Sequence, residues 1–257
     1  MSGFWHAGAN AQSFDDEVRI SPAKLLGINV ILSGVTAGAA QAARGNSFLK
    51  GFLQGSIGGV AVYAGKCLLV QRSSVTDWAG RATVAAGSSA VANAAAGRPL
   101  LQELVFPLGP VRFFRNNKTR RTRVKLDLGT TVVAAYFVLD RGARFTTGPS
   151  LTHGALVFEG EPSRGNLEAA GVLFLSRGAG RQAIAHELVH VGQGDFASTV
   201  WEGPLQDWML GHDPIASKAG EYIDLGILLP VWAGLNALVD RRARPWEKEA
   251  RSLAAGC

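Results

Sequence analysis

Arg181-Gln182-Ala183-Ile184-Ala185-His186-Glu187-Leu188-Val189-His190-Val191-Gly192-Gln193-Gly194-Asp195 is the stretch from which the rest of the chain is read. Residues three and four apart share a face of an α-helix. On that spacing Ile184, Leu188 and Val191 form an apolar side, while His186, His190 and Gln193 fall on another. Arg177-Gly178-Ala179-Gly180 supplies a turn before it, and Gly192 and Gly194 suit a helix end just after the second histidine. The spacing therefore predicts a helix that enters a core with one side and presents two imidazoles together on the other.

Two imidazoles one turn apart can bind one divalent cation, and zinc is the ion that such His/carboxylate sets suit. Glu187, next to the first histidine, can take the proton of a water that the metal acidifies. With 5 His in 257 residues, chance gives roughly 0.004 copies of His-Glu-x-x-His, so coincidence is a poor explanation. A catalytic site needs a third protein ligand and one position left for water. A histidine six residues past His190 is ruled out because that position is Phe196. Acids further on are the candidates: Asp195, Glu202, Asp207, Glu221, Asp224, and the pair Glu247 and Glu249, in a last helix that Pro245 is suited to open. His212 and Tyr222 are candidate donors to the oxyanion that forms when water attacks a carbonyl.

Glu247-Lys248-Glu249-Ala250, downstream of His-Glu-x-x-His, resembles the ligand helix of the gluzincin metallopeptidases. It is most similar to that of the HtpX-like and CAAX-processing membrane peptidases, which reads Glu-x-x-Ala-Asp. The resemblance implies Glu247 as third zinc ligand beside His186 and His190, Glu187 as general base, and peptide-bond hydrolysis as the activity. Arg251 stands where those families have Asp. His186-Glu187-Leu188-Val189-His190-Val191-Gly192-Gln193 also resembles the His-Glu-Leu-x-His-x-x-Gln form common among uncharacterised bacterial peptidase-like proteins. Both segments together cover about twenty residues. On fold analogy with zincins, Gly154–Glu159 is the candidate strand edge for substrate.

The fold class read outward from that helix is α+β. Residues 103–257 are expected to form a zincin-like domain, with a small antiparallel or mixed sheet, the histidine helix and a C-terminal ligand helix. Val105–Pro107, Val111–Phe114, Thr122–Leu128, Ala155–Phe158 and Val172–Leu175 read as strands; Thr130–Leu139 fits strand or helix, and Leu225–Val239 reads as an apolar helix. Residues 1–102 are expected to be a Gly/Ala-rich helical segment. Leu25–Ala43 runs nineteen residues without a charge between Lys24 and Arg44, and Gly51, Gly55 and Gly59 recur every fourth residue, as Gly34 and Gly38 do. That spacing lets helices approach closely, in a membrane or in a soluble pair. Residues 22–70 are thus a candidate membrane-associated hairpin, although Lys66 and Arg81 interrupt the later runs. Ala82–Gly97 is too polar to span and reads as a surface or packing helix.

Only 18% of residues are charged and 47% are hydrophobic, which argues against disorder. The net charge of +6 owes much to Arg112–Lys125, a basic run expected to be a solvated hairpin. It lacks any nucleic-acid-binding motif, so nucleic acid is a disfavoured partner; the partner that the peptidase resemblance implies is a polypeptide substrate. The alternative function is an inactive zinc-stabilised scaffold using residues 112–125 on an acidic partner. Cys67 and Cys257 are the only cysteines, and neither has metal-ligand spacing. They are expected to stay reduced, and with no signal-peptide pattern at the N-terminus the chain reads as cytoplasmic or inner-membrane-associated.

Overall fold

The computed structural model describes residues 19–161, 166–169, 171–202, 205, 209, 218–226 and 244–257. Three helices of equal length come first: α1 (Pro22–Ala43), α2 (Phe48–Leu69) and α3 (Ser74–Ala95). Serines begin each of them. Ser21, Ser47 and Ser73 accept from the backbone N–H three residues on, and Pro22 occupies the first turn of α1. The glycine spacing acts as read, because the backbones nearly touch. A Cβ on Gly55 would stand 2.5 Å from the Ser33 carbonyl oxygen of α1, and one on Gly65 would stand 2.6 Å from the Val84 nitrogen of α3. α2 thus has a glycine face towards each neighbour. Both α1 and α2 are long and apolar enough, by length and composition, to cross a membrane.

Two small sheets follow, so the α+β class holds. In the first, β1 (Glu103–Leu108), β2 (Val111–Asn116) and β3 (Arg121–Asp127) form an antiparallel meander; β8 (Ile223–Asp224) adds parallel to β3. The second has the order β4 (Arg144–Phe145), β5 (Leu156–Gly160), β7 (Val172–Ser176), β6 (Leu167–Ala169), with β5 and β7 parallel. Helix α4 (Leu128–Arg141) links the two sheets, and α5 (Thr147–His153) joins β4 to β5. The ambiguous segment 130–139 is helical because Asp127 caps it, its Oδ1 accepting from the Thr130 N–H at 2.7 Å. β7 leads into α6 (Arg181–Ala197), which continues as a π-helical turn, Ser198–Glu202. The last helix is α7 (Pro245–Ala254). The helix expected over 225–239 lies outside the described residues beyond Gly226.

Four expectations are corrected. α6 does not stop at Gly192 or Gly194, because Gly192 lies against Leu69 and Val84 and tertiary packing outweighs its weak helix propensity. The basic run is a hairpin but not wholly solvated. Register pairs Arg112 with Lys125, and both are buried against acids remote in sequence. Cys67 and Cys257 are not free thiols. They form a disulfide across 190 residues, which joins α2 to the chain end and removes the ground for a reducing compartment. Gly154–Glu159 is not an edge: β5 lies between β4 and β7, and the terminal strand beside α6 is β6.

Candidate metal centre

The core fixes α6 on two sides. Leu188 and Val191 pack with Leu69, Val84, Leu173 and Leu175, joining the helical layer to the second sheet. Ala185 and Val189 pack with Leu25, Val70, Ala250 and Leu253, joining α6 to α1, α2 and α7. The remaining face carries His186 and His190 towards the first turn of α7. Glu247 projects from that turn because Ala250 and Leu253, three and six residues on, anchor the same helix against α6.

Three ligand-type atoms converge there. The Nε2 atoms of His186 and His190 are 3.1 Å apart, with the rings nearly perpendicular at 86°. Glu247 Oε2 lies 3.4 Å from His186 Nε2 and 3.7 Å from His190 Nε2. A tetrahedral zinc with bonds of about 2.0–2.1 Å spaces its ligand atoms about 3.3 Å apart, so these donors fit that ion. Among the described residues this is the one cluster of three such groups with metal-ligand spacing. The three side chains are 15%, 12% and 8% exposed, so the cluster is sheltered with a small opening.

Charge around the cluster favours a cation. Burial alone would lower the pKa of His190. Its contact with Glu247 and the charges of Glu187, Glu247 and Glu168 outweigh that and push it up to about 9. Glu187 is buried, and one of its carboxylate oxygens accepts from the Glu168 N–H of β6 at 2.8 Å. Burial pushes the Glu168 carboxyl up to about 7, aided by Glu187 and Asp195 and opposed by the Gly171 N–H and by His190. Arg251 lies 3.9 Å from Glu247 Oε2, a positive charge where the resembled families carry an acid.

The other candidates are placed elsewhere. Glu249, the alternative third ligand, faces α2 and pairs with Lys66 at 2.9 Å. Asp195 pairs with Arg81 at 2.9 Å, while Glu202 and Asp224 pair with Arg112. Glu221 and Tyr222 lie in the turn entering β8 of the first sheet, and Tyr222 is 64% exposed. His212 and Asp207 lie outside the described residues.

Three residues around the centre carry no motif signal of their own: Glu168, Asn29 and Lys66. The available hint was the presence of Asn29 and Lys66 in otherwise small and apolar helices, where an unexplained polar group implies a buried partner. No family model matches the chain, and no curated protein or solved structure does so either.

Proposed function

We propose that the chain is a zinc-dependent peptide hydrolase, and the observation that carries this reading is the meeting of His186 Nε2, His190 Nε2 and Glu247 Oε2. His186, His190 and Glu247 would hold the ion. Zinc, when bound, supplies an acidified water and a Lewis acid for the scissile carbonyl. Glu187 does the proton work. Its carboxylate, held by the β6 amide, takes the proton of the attacking water and passes it to the departing amine. β6 is a terminal strand that pairs, among the described residues, only with β7. An extended peptide can add along its free edge next to Glu187, which favours an unfolded polypeptide as substrate.

Glu187→Gln tests the assignment. Zinc content is expected to stay at the wild-type level, while casein hydrolysis falls by roughly 10²–10⁴-fold. Zinc retained with no hydrolysis by either protein would instead support the scaffold.

The enzyme is further proposed to work at a membrane surface with its hairpin in the plane of the interface. Every exposed residue of α1 from Ile28 onward is Ile, Leu, Val or Ala, as is every exposed residue of α2 between Leu53 and Leu69. The polar residues Asn29, Ser33, Gln41 and Lys66 face inward. That arrangement inverts the ordinary soluble helix and leaves an apolar outer face on both α1 and α2. α3 covers the inner side of α2, and behind it β1 and α6 attach through Ser89 to the Val105 N–H, Arg81 to the Pro107 carbonyl, and Val84 to Gly192. Elements so backed have only their outer face to offer lipid, which favours lying in the interface over spanning. Exposed Lys24, Arg44 and Lys50 stand at the ends of this face and suit anionic headgroups.

Flotation with anionic phosphatidylserine vesicles should carry the wild type but not the double variant Leu32→Glu, Leu53→Glu. A thiol introduced at the hairpin tip (Asn46→Cys) should remain open to a membrane-impermeant reagent on the side of addition. Protection of that thiol would mean a spanning hairpin. A wild type that stays in the aqueous phase, or a dimer that the same substitutions separate, would mean that the face meets no lipid.

A further inference from the structure

His190 is the end of a buried hydrogen-bonded chain that leads out of the metal centre into the helical hairpin. We infer that Gln193, Glu249 and Lys66, with Asn29, are positioning residues for His190: they fix its tautomer and ring orientation so that Nε2 faces the cation. The inference rests on the metal-centre reading above.

The chain can be assigned donor by donor. His190 Nδ1 lies 2.7 Å from Gln193 Oε1. The Gln193 Nε2 donates to Glu249 Oε2 at 2.7 Å and to the Trp246 carbonyl at 3.0 Å. Both of those partners only accept, so the amide cannot be turned round, and its oxygen must face the imidazole. That oxygen can only accept, so Nδ1 of His190 carries a hydrogen. In the neutral ring, Nε2 is then left with the lone pair, and Nε2 is the atom beside His186 and Glu247.

The far end of the chain is closed. Glu249 Oε1 accepts from Asn29 Nδ2 at 2.8 Å and from Lys66 Nζ at 2.9 Å, while its Oε2 accepts from Lys66 at 3.0 Å as well as from Gln193. Lys66 also donates to Asn29 Oδ1 at 2.9 Å, and Asn29 Nδ2 donates to the Leu25 carbonyl at 2.9 Å. Burial would raise the Glu249 pKa, but Lys66, Asn29 and Gln193 together hold it below the ordinary value. Every contact shown for the Glu249 carboxylate is with a donor, from Asn29, Lys66 or Gln193, and that geometry orients the glutamine. These contacts bridge 183 and 220 residues of sequence, so the hairpin takes part in shaping the centre as well as supporting it. Docking alone does not account for the choice of residues. The Cys67–Cys257 disulfide and the Ile20 N–H bond to Ser252 already tie α7 to α1 and α2. A buried ion pair, moreover, generally stabilises no better than apolar side chains of similar volume.

The test uses the full-length protein and reads metal binding apart from folding. Gln193→Met keeps volume and removes all three amide hydrogen bonds, with His190, Glu249 and Trp246. It should weaken zinc binding, measured by chelator competition, by about 10–100-fold and shift the visible absorption of the Co²⁺ form. The melting temperature of the metal-free protein should change little, because Gln193 is only partly buried. Lys66→Met should weaken zinc binding in the same direction, and Lys66→Arg should restore much of the loss. Combining Lys66→Met with Gln193→Met should cost less than the two losses added, since both act on one ring. Should Lys66→Met fail to fold, Gln193→Met and Glu249→Gln still decide the matter. Unchanged zinc affinity and an unchanged Co²⁺ spectrum in Gln193→Met would reduce the chain to a docking contact and overturn the inference while leaving the zinc site standing. A wild type that binds no zinc would overturn both.

Discussion

Two buried clusters of ionisable side chains are joined to the α6 segment, one through His186 and His190 of α6 and the other through Glu202 of the π-helical turn that follows it, and they differ in how their acids are compensated. In one, the guanidinium of Arg112 hydrogen-bonds Asp127 and lies 3.0 Å from Glu202 and 3.2 Å from Asp224, with Lys125 also 3.2 Å from Asp224. In the other, His186 Nε2, His190 Nε2 and Glu247 Oε2 lie within 4.8 Å of one another. The first cluster carries its cation on the chain and is closed to solvent. The second gathers two imidazoles and a carboxylate, with Arg251 3.9 Å from Glu247 Oε2, and keeps a small opening. Burying acids is costly unless a positive charge accompanies them, and at the second cluster protons on the imidazoles or a metal ion between them would add to the charge of Arg251. That distinction separates a structural ion network from a candidate metal centre.

The largest effect should come from breaking the closed cluster. Arg112→Met leaves Asp127, Glu202 and Asp224 facing one another without their shared cation. The loss is expected at about 3–5 kcal/mol, which for a chain of this size lowers the melting temperature by roughly 6–20 °C. Thermal unfolding with and without zinc measures it, and the deficit should be the same in both. A loss below about 1 kcal/mol would mean that the network is not the buried structural feature described.

A smaller and more selective effect should appear on titration. His190 has an ordinary pKa of 6.5 and a folded, metal-free value of about 9. Its protonation therefore stabilises the metal-free fold fully below pH 6.5, and that contribution is lost as pH rises through about 9. Zinc requires the unprotonated Nε2, so its affinity should rise by up to about tenfold per pH unit across the same window. The melting-temperature gap between zinc-loaded and metal-free protein should widen from pH 6.5 to 9. Arg112, whose pKa is raised by its three acids against the opposing effect of burial, stays charged throughout and adds no slope. A gap that is flat or narrows with rising pH would contradict the role given to His190.

The helix that carries the histidines was legible because its chemistry is periodic: two imidazoles and an apolar side recur at helical spacing within fifteen residues. The hairpin was legible for the same reason, as glycines every fourth residue mark a contact face. Glu247 became legible only through a family pattern, since no local spacing relates it to residues sixty positions earlier. What stayed hidden is pairing across the chain. Arg112 and Lys125 look like part of a solvated run until strand register turns them inward against Glu202 and Asp224. Lys66 looks like a flaw in an apolar helix until α7 brings Glu249 to it. The cysteines look isolated because 190 residues separate them. The edge strand was misplaced because β6 has three residues, too few for an alternating pattern to declare itself.

The most direct test of the account is a zinc titration of metal-free protein, wild type against Glu247→Ala, with X-ray absorption on the loaded form. The account predicts one zinc per wild-type chain with nitrogen and oxygen neighbours at about 2.0–2.1 Å, and at least about a hundredfold weaker binding in the variant. Equal affinity in the two proteins, or a wild type that takes up no zinc, would contradict it.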